Sequence, residues 1–345
     1  MNIVISILVF SLLILFHELG HFLLAKANGI RVNEFCLGLG PTIVGFTKGE
    51  TTYSIKALPF GGACMMEGED ESSDDDRAFN KKSVWARISV VAAGPIFNFI
   101  MAFVFSIVLI ACVGVDKPVL TDVIDGYAAQ EAGLKAGDVI VGMGNDKIYF
   151  YKEISMYSTF HAGEPVEITY ERDGVEYKTV LTPKWDEDAG RYLYGFISSG
   201  ERERVNFFEN IVYSFHDVGY YVQVTIESVK MLFSGAVGVN ELSGPVGIVQ
   251  NMGEVYEESV QTSGYYYAFL NILNWTIMLS ANLGVMNLLP IPALDGGRLV
   301  FLAVEAVRGK AIDPNKEGFV HMVGIILLFG LMFFVMANDI RKIFM

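Results

Sequence analysis

The residues His17, Glu18 and His21 form the pattern His-Glu-x-x-His near the end of the apolar run that opens the chain. On an α-helix the two histidines lie about one turn apart, so both imidazoles leave the same face. Their nitrogens can then bind one zinc ion at about 2.0–2.1 Å, with Glu18 beside them to accept a proton from water. The spacing therefore predicts a zinc site with His17 and His21 as ligands and Glu18 as the general base.

The segment that carries this motif is hydrophobic enough to lie in a membrane. Residues 3–16 contain no charged side chain, and the apolar pattern continues to Ala25 before Lys26. Ionisable side chains within a bilayer are costly unless they are paired or hydrated, so they are functional by default. A chance match to the motif is the alternative, but it would leave three costly polar groups without a purpose. We therefore favour metal binding inside the membrane.

A catalytic zinc site needs a third protein ligand and one open position, and Asp295 is the strongest candidate for that ligand. It follows two prolines within residues 290–292, which prevent a regular helix, and precedes two glycines at 296–297, which permit a turn. Alternatively, Asp295 is the N-cap of a helix over residues 298–307. Next to an intramembrane His-Glu-x-x-His motif, we favour metal ligation.

The composition is typical of a membrane protein, with 52% hydrophobic and only 19% charged residues. The net charge of −14 comes largely from the acidic segment 67–76 and the middle of the chain. This negative charge argues against a nucleic-acid partner, which requires a basic face.

The cysteines and the remaining histidines show no spacing typical of metal ligands or disulfides. We therefore expect small buried thiols and surface or interface imidazoles. These residues are Cys36, Cys64, Cys112, His161, His216 and His321.

Four hydrophobic segments are long enough to cross a bilayer. The predicted spans cover residues 2–27, 87–115, 266–289 and 319–337. The first is predicted to be a retained transmembrane helix, not a cleaved signal peptide, because it has no basic start and contains the candidate metal motif. A chain of 345 residues therefore has room for a membrane unit and one small domain.

The segments between these spans have their own patterns. Residues 30–59 predict a β-hairpin that turns near 48–50; it either borders an active-site cavity or rests at the membrane interface. Residues 119–183 carry the turn and strand signals of a small β-rich domain, including a hairpin turn at 172–174. Residues 207–232 are amphipathic, which is typical either of a helix on the membrane surface or of one that faces a core.

The distribution of lysine and arginine predicts the orientation in the membrane. Basic residues cluster between the first two spans and between the last two, and such connections face the cytoplasm. This orientation leaves the inserted domain and both termini outside, with the metal motif toward the cytoplasmic side. Arg341 and Lys342, at the outer end of the last span, run against the rule.

The pair of segments HELGH (residues 17–21) and NLLPIPALDGG (residues 287–297) resembles the site-2 protease family of intramembrane metalloproteases. AAGPIFN (residues 92–98) and SGPVGI (residues 243–248) are similar to patterns of its bacterial RseP-like branch, and GLKAGDVI (residues 133–140) resembles a PDZ domain. The resemblance covers nearly the whole chain. It implies a polytopic α-helical membrane protein with four transmembrane helices, a membrane-associated β-hairpin region and a small β-rich PDZ-like extracytoplasmic domain.

The resemblance also assigns roles to residues of the site. It implies that Zn2+ is held by His17, His21 and Asp295, with Glu18 as general base. It further implies that Asn98 and Asn287 bind or position the substrate backbone; adhesion between helices is the alternative role for such amides. The PDZ-like domain resembles modules that capture or screen peptide ends by β-addition.

The expected domain organisation has two halves of a membrane protease core with an insertion between them. The predicted parts are residues 1–115 (first half of the core), 116–185 (PDZ-like domain), 186–264 (linker and amphipathic helix) and 265–345 (second half of the core).

The predicted function is zinc-dependent endoproteolysis within a bacterial cell membrane. The hydrophobic spans predict the lipid bilayer as a partner, and the resemblance to the site-2 protease family implies single-span membrane proteins as substrates, such as anti-sigma factors or remnant signal peptides. The alternative is a membrane scaffold with a peptide-binding PDZ domain and a structural metal site. Glu18 weighs against the scaffold, because a closed structural site needs no base. A metal transporter would repeat polar residues through several spans, whereas here they concentrate at one depth.

Overall fold

The computed structural model describes residues 2–69, 73–238 and 241–344. The predicted acidic segment 67–76 therefore lies partly outside the described residues, at positions 70–72. The chain divides into two compact units. The membrane unit comprises Met1–Phe105 with Ser228–Met345, and the inserted unit comprises Ser106–Glu227.

Helices account for most of the described chain. They are α1 (Asn2–Ala27), α2 (Val84–Val113), α3 (Ala128–Glu131), α4 (Tyr151–Phe160), α5 (Phe207–Ser234), α6 (Pro245–Ser263), α7 (Tyr265–Leu288), α8 (Asp295–Arg308) and α9 (Pro314–Phe344). The strands are β1 (Val32–Lys48), β2 (Thr51–Met66), β3 (Asp122–Val123), β4 (Val139–Met143), β5 (Asp146–Lys147), β6 (Val166–Arg172), β7 (Val175–Leu181), β8 (Lys184–Asp186), β9 (Arg191–Leu193) and β10 (Phe196–Ile197).

Four of the described helices, α1, α2, α7 and α9, are long and apolar enough to cross a membrane, which confirms the four predicted spans. Their ends differ from the predicted ones by a few residues. Helix α2 begins at Val84 because the Ser83 hydroxyl accepts a hydrogen bond from the Ala86 N–H, which caps the helix before the hydrophobic run starts. Helix α9 continues to Phe344, beyond the predicted end at 337, because charged residues there still form a helical turn.

Close backbone contact holds α1 against α2 in the membrane unit. A Cβ added at Gly20 would lie 2.7 Å from the carbonyl carbon of Ala93, so only glycine permits this approach. Deeper along the helices, Leu13 and Met101 are buried together with Met252 and Leu279 from α6 and α7. The buried helix contacts place the His-Glu-x-x-His turn of α1 beside the middle of α2.

Strands β1 and β2 form the predicted hairpin, which turns between Lys48 and Thr51. The second strand runs on to Met66, past the predicted end at residue 59. Residues 34–37 pair with residues 52–55 on one side and with residues 62–65 on the other. The segment 62–65 therefore forms an outer strand of the folded hairpin.

The inserted unit is built around a four-stranded sheet in the order β5-β4-β6-β7. Ile140, Met143 and Ile168 are fully buried in its core. The predicted turn at residues 172–174 joins β6 to β7, with Asp173 and Gly174 in the left-handed region. Strand β10 pairs with β3, so the strands of this unit continue to Ile197, whereas the predicted PDZ-like segment ends at 185.

An ion pair fixes the GLKAGDVI segment in the inserted unit. Asp138 is almost fully buried and accepts hydrogen bonds from Arg172 and from the Lys135 N–H. Burial raises the pKa of the Asp138 carboxyl, but these donors lower it by more, so the net pKa is below its usual value. The ionised carboxylate therefore holds the turn before β4 in place.

Helix α5 is amphipathic, as predicted, but its polar face is the buried one. Its buried residues include Asn210, Ser214 and Asp217, whereas Phe208 and Phe215 are 77% and 71% exposed. The interpretation of α5 as a core-facing helix is therefore wrong. The outward apolar face is the pattern expected of a helix in contact with lipid.

Candidate active site

Helix α1 presents His17 and His21 on one face, and two contacts orient their rings. The two Nε2 atoms lie 3.2 Å apart. Nδ1 of His21 lies 2.9 Å from the carbonyl oxygen of Val90 in α2, to which it donates. Nδ1 of His17 lies 3.2 Å from the Nδ2 atom of Asn98, also in α2. Both histidines thus aim Nε2 at a common point and use Nδ1 to contact α2.

Asp295 reaches the same point from the other end of the chain. Its Oδ2 atom lies 3.1 Å from Nε2 of His17 and 3.5 Å from Nε2 of His21. Helix α8 begins at Asp295, and the cap position is occupied by Leu294, which makes no side-chain capping bond. The alternative role of Asp295 as an N-cap is therefore wrong, and its carboxylate turns toward the histidines.

The three donor atoms fit a zinc ion. A tetrahedral ion with bonds of about 2.0–2.1 Å keeps its ligand atoms roughly 3.3 Å apart. The observed separations of 3.2, 3.1 and 3.5 Å agree with that spacing. Oδ2 of Asp295 is also buried without a hydrogen-bond donor among the described residues, which a cation would satisfy. Two imidazoles and one carboxylate are a ligand set found in zinc peptidases.

Glycines make room for this convergence. A Cβ at Gly94, in the AAGPIFN segment of α2, would lie 2.6 Å from Cε1 of His21 and 2.7 Å from Cε1 of His17. A Cβ at Gly296 would lie 2.5 Å from the carbonyl oxygen of Leu288. Neither position tolerates a side chain, so glycine is required both beneath the histidines and behind Asp295.

The charge of Asp295 suits a cation. Its Oδ2 atom faces both Nε2 atoms, at 3.1 and 3.5 Å, so a carboxylate here attracts a cation to the point between the three atoms.

Glu18 lines a cavity of about 670 Å3 together with the three candidate ligands. Residues 62–66 of β2 form another part of its wall. The hairpin therefore borders the active-site cavity, which was one of its two predicted positions. Arg298 of α8 also lines the cavity and donates a hydrogen bond to the carbonyl oxygen of Glu69 at 3.0 Å. This cavity is polar and large enough to hold water beside Glu18.

The two predicted substrate-binding asparagines occupy different environments. Asn98 is fully buried, with its side-chain amide against His17 and its backbone carbonyl oxygen accepting a hydrogen bond from Oγ of Ser280 at 2.7 Å. Asn287 is half-buried in the last turn of α7. The structure therefore brings Asn98 to the candidate ligands, whereas Asn287 lies just before the turn that leads to Asp295.

Sequence reasoning missed two residues of this region. Gly94 lies against both imidazoles, and no local pattern in the sequence signals this position. His321 was predicted to be a surface or interface residue, but its Nδ1 accepts a hydrogen bond from the Ala293 N–H at 3.0 Å. No spacing pattern could reveal this contact, because 28 residues separate the two partners.

The inserted unit contains a second cavity, of about 540 Å3. It lies between α4, which contributes Ile154 and Ser158, and strands β9 and β10, which contribute Tyr192 and Phe196. The cavity is therefore a groove between one helix and two strands.

Comparison with known proteins agrees with this geometry. The model of peptidase family M50 matches residues 5–331. A protein of Clostridium acetobutylicum that is provisionally named a zinc metalloprotease is 38% identical over 339 residues, covering 98% of this chain and 97% of that protein. The zinc metalloprotease RasP of Geobacillus kaustophilus is 33% identical, covering 100% and 99%. The regulator of sigma-W protease RasP of Bacillus subtilis is 30% identical, covering 98% of each protein.

Among solved structures, the PDZ domain of an SdrC-like protein from Listeria monocytogenes matches 24% of this chain and 88% of that chain. Its sequence identity is 22% and the TM-score is 0.21, which is too low to support a conclusion about the fold.

The family match spans most of the chain, including the His-Glu-x-x-His helix and the segment that carries Asp295. Four apolar helices and bacterial relatives named zinc metalloproteases agree with it. The chain therefore belongs to peptidase family M50, the site-2 protease family, and is a zinc-dependent metalloendopeptidase with several helices that cross a bacterial membrane.

Proposed function

We propose that this peptidase cleaves membrane proteins within the bilayer, using the site on α1 and α8. His17, His21 and Asp295 hold the zinc, and Glu18 is the general base. The observation that carries the proposal is the convergence of the three ligand atoms, 3.1–3.5 Å apart, inside an apolar helix and beside a polar cavity. A catalytic site keeps one position open, and the described cluster contains three ligands.

Each residue then has a defined task in hydrolysis. Zinc, when bound, polarises the scissile carbonyl and lowers the pKa of water. Glu18 accepts a proton from water in the cavity and delivers it to the leaving amine. The cavity brings water to Glu18, which the surrounding hydrocarbon cannot supply. These tasks distinguish a peptidase site from the structural metal site of a scaffold, which would not need Glu18.

The substrate must present an unwound peptide to this site, because the amides of a helix are already hydrogen-bonded within it. We infer that residues 62–65 of β2 receive the unwound segment by β-addition, since this outer strand lines the cavity. Asn287, in the last turn of α7, can donate and accept hydrogen bonds and is proposed to hold the same segment. Its amide makes no hydrogen bond with any other residue within the described parts of the chain.

Asn98 has a different part in this proposal. A zinc-bound histidine that coordinates through Nε2 carries its proton on Nδ1, which requires an acceptor. In the present rotamer Nδ2 of Asn98 faces His17, and Oδ1 is buried without a donor among the described residues. Rotating the amide by 180° pairs Oδ1 with the Nδ1 proton of His17. Asn98 then acts on the substrate only through the histidine that it orients.

The proposed substrates are single-span membrane proteins, such as anti-sigma factors or remnant signal peptides. A relative named regulator of sigma-W protease supports the anti-sigma class.

The inserted unit is proposed to be a PDZ-like domain outside the cytoplasm that receives peptide ends in its 540 Å3 groove, with the active site toward the cytoplasmic side. A cysteine placed at Ser199 should react with an impermeant maleimide in intact cells, and one at Lys310 should not. The reverse labelling would contradict this orientation.

The substitution Glu18→Gln tests the mechanism directly. It removes the base but none of the ligands, so the purified variant should keep stoichiometric zinc and lose about 10²–10⁴-fold in cleavage of a model transmembrane substrate. Glu67→Gln is the matched control, because Glu67 lines the same cavity but bonds to Asn33 and Ser73. Cleavage by Glu18→Gln at the unmodified rate would rule out the mechanism.

A further inference from the structure

The carboxylate of Asp295 is aimed by a tight turn that immediately precedes it. The Leu294 N–H donates to the carbonyl oxygen of Ile291 at 3.2 Å, which closes a four-residue turn with Pro292 and Ala293 at its centre. Ala293 has a φ of 82°, whereas the other central position is a proline. These features define a type II turn, whose third residue is normally glycine or asparagine because its φ is positive.

An alanine in this position is strained, so the surrounding structure has to hold it. The N–H of Ala293 makes no bond within the turn and donates instead to Nδ1 of His321, at 3.0 Å. The imidazole also lies against the ring of Phe301 in α8, with ring centres 5.7 Å apart. His321 therefore contacts the turn before α8 through Ala293 and the helix itself through Phe301.

Helix α9 is shaped to meet this turn. A Cβ at Gly324, one turn after His321, would lie 2.5 Å from Cβ and from the carbonyl oxygen of Pro292. The absence of a side chain at Gly324 lets α9 come close enough for the imidazole to reach Ala293. Most of the apolar surface of α9 is otherwise exposed, so this contact is specific to one short stretch of the helix.

We propose that His321 is a positioning residue of the metal site: by binding the Ala293 N–H, it holds the strained turn that directs Asp295 toward His17 and His21. The inference rests on the metal site proposed above. It adds a histidine that touches neither metal nor substrate, and it connects α9, the least buried of the four described spans, to the metal site.

Zinc affinity of the full-length protein in detergent, measured by competition with a chromogenic chelator, tests this role. His321→Phe keeps a ring of similar shape but has no acceptor, and it should weaken zinc binding by about tenfold, as is typical for loss of an outer contact. His321→Asn places an oxygen at the same number of bonds from Cβ as Nδ1, and it should restore most of the affinity. His216→Phe, in the inserted unit, is the matched control and should bind zinc normally.

A double-mutant cycle separates positioning from general damage to α9. Ala293→Gly removes the cost of the positive φ, so the turn no longer depends on the imidazole. His321→Phe should then weaken zinc binding much less in the Ala293→Gly background than in the natural one. An equal loss in both backgrounds, or normal affinity of His321→Phe, would overturn the inference.

Asp295→Ala distinguishes failure of this inference from failure of the proposed site. If Asp295→Ala loses zinc while His321→Phe binds it normally, the metal site stands and the role of His321 is rejected. If Asp295→Ala binds zinc like the natural chain, the proposed ligand set itself is wrong, and the role of His321 is rejected with it.

Discussion

Close packing beneath the two histidines makes Gly94 a demanding position. The atoms that a methyl group would meet are Nε2 and Cε1 of His21 and Cε1 of His17, all within 2.7 Å. These rings are held on their other nitrogens by α2, so they have little freedom to move away. The packing of α2 against both rings therefore constrains the two histidines independently of the metal.

Gly94→Ala should reduce zinc binding by more than about tenfold, because the imidazoles must shift by several tenths of an ångström from positions that suit a tetrahedral ion. Zinc content after dialysis against a weak chelator measures the effect. Gly330→Ala is the matched control, since an added Cβ there meets no atom within 4 Å. Equal zinc retention by the two variants would show that the histidines are not confined as described.

Asn98 offers a test of ring orientation. Asn98→Leu has a similar size but no acceptor, and we expect about 10–100-fold weaker zinc binding because the Nδ1 proton of His17 then lacks a partner. Asn98→Asp keeps an acceptor oxygen and should retain much of the affinity. Asn271→Leu, which removes a 2.7 Å hydrogen bond to Ser259 elsewhere in the membrane unit, is the control. If Asn98→Leu changes cleavage but not zinc affinity, direct substrate binding is the better account.

At the scale of elements, the burial of the polar face of α5 has a specific cause. Asp217 is 4% exposed and accepts a hydrogen bond from the Ser106 hydroxyl of α2 at 2.6 Å. It also pairs with Lys152 of α4, whose ammonium group lies 4.2 Å from the ring centre of Tyr220. These charged and aromatic contacts stabilise the buried polar face of α5. The apolar face of α5 therefore points outward, where lipid can contact it.

Lys152→Met should destabilise the inserted unit by about 3 kcal/mol, because it leaves the Asp217 carboxylate buried without a counter-ion. Urea unfolding, followed by Trp185 fluorescence in a Trp85→Phe and Trp275→Phe background, measures this change. Adding Asp217→Asn removes the unpaired charge and should recover most of the loss.

The control for this prediction is an exposed pair in the same unit. Lys178 and Glu167 are both well exposed, so Lys178→Met should leave the urea midpoint almost unchanged. If the two lysine variants unfold at the same urea concentration, the pair of Lys152 and Asp217 contributes no more than a surface contact.

At the scale of the molecule, the membrane unit contains the metal site and the inserted unit has a separate core. A ligand that binds only the folded state stabilises it, by about 2.7 kcal/mol at a hundred times its dissociation constant. We therefore expect zinc to stabilise the membrane unit and to leave the sheet of the inserted unit unaffected.

Removal of zinc with a chelator should accelerate hydrogen exchange in α1 and in the first turns of α8, while β4 and β6 exchange at an unchanged rate. Mass spectrometry of the two states measures this difference, and Asp295→Ala with zinc present should reproduce it. Faster exchange throughout both units after chelation would show that zinc stabilises the chain as a whole.

Local patterns of the chain determined the four spans, the hairpin, the turn at 172–174 and the spacing of His17 and His21 on one helix face, because hydropathy, turn residues and helical spacing act between neighbours in sequence. Tertiary structure alone decided which polar groups face each other across long separations. Asn98 meets a histidine 81 residues away, and Asp217 meets a serine 111 residues away, so the polar face of α5 turns inward. Ala293 adopts a conformation that its own side chain disfavours, because a histidine on another helix binds its N–H. Such pairings depend on how helices pack, which no local pattern records.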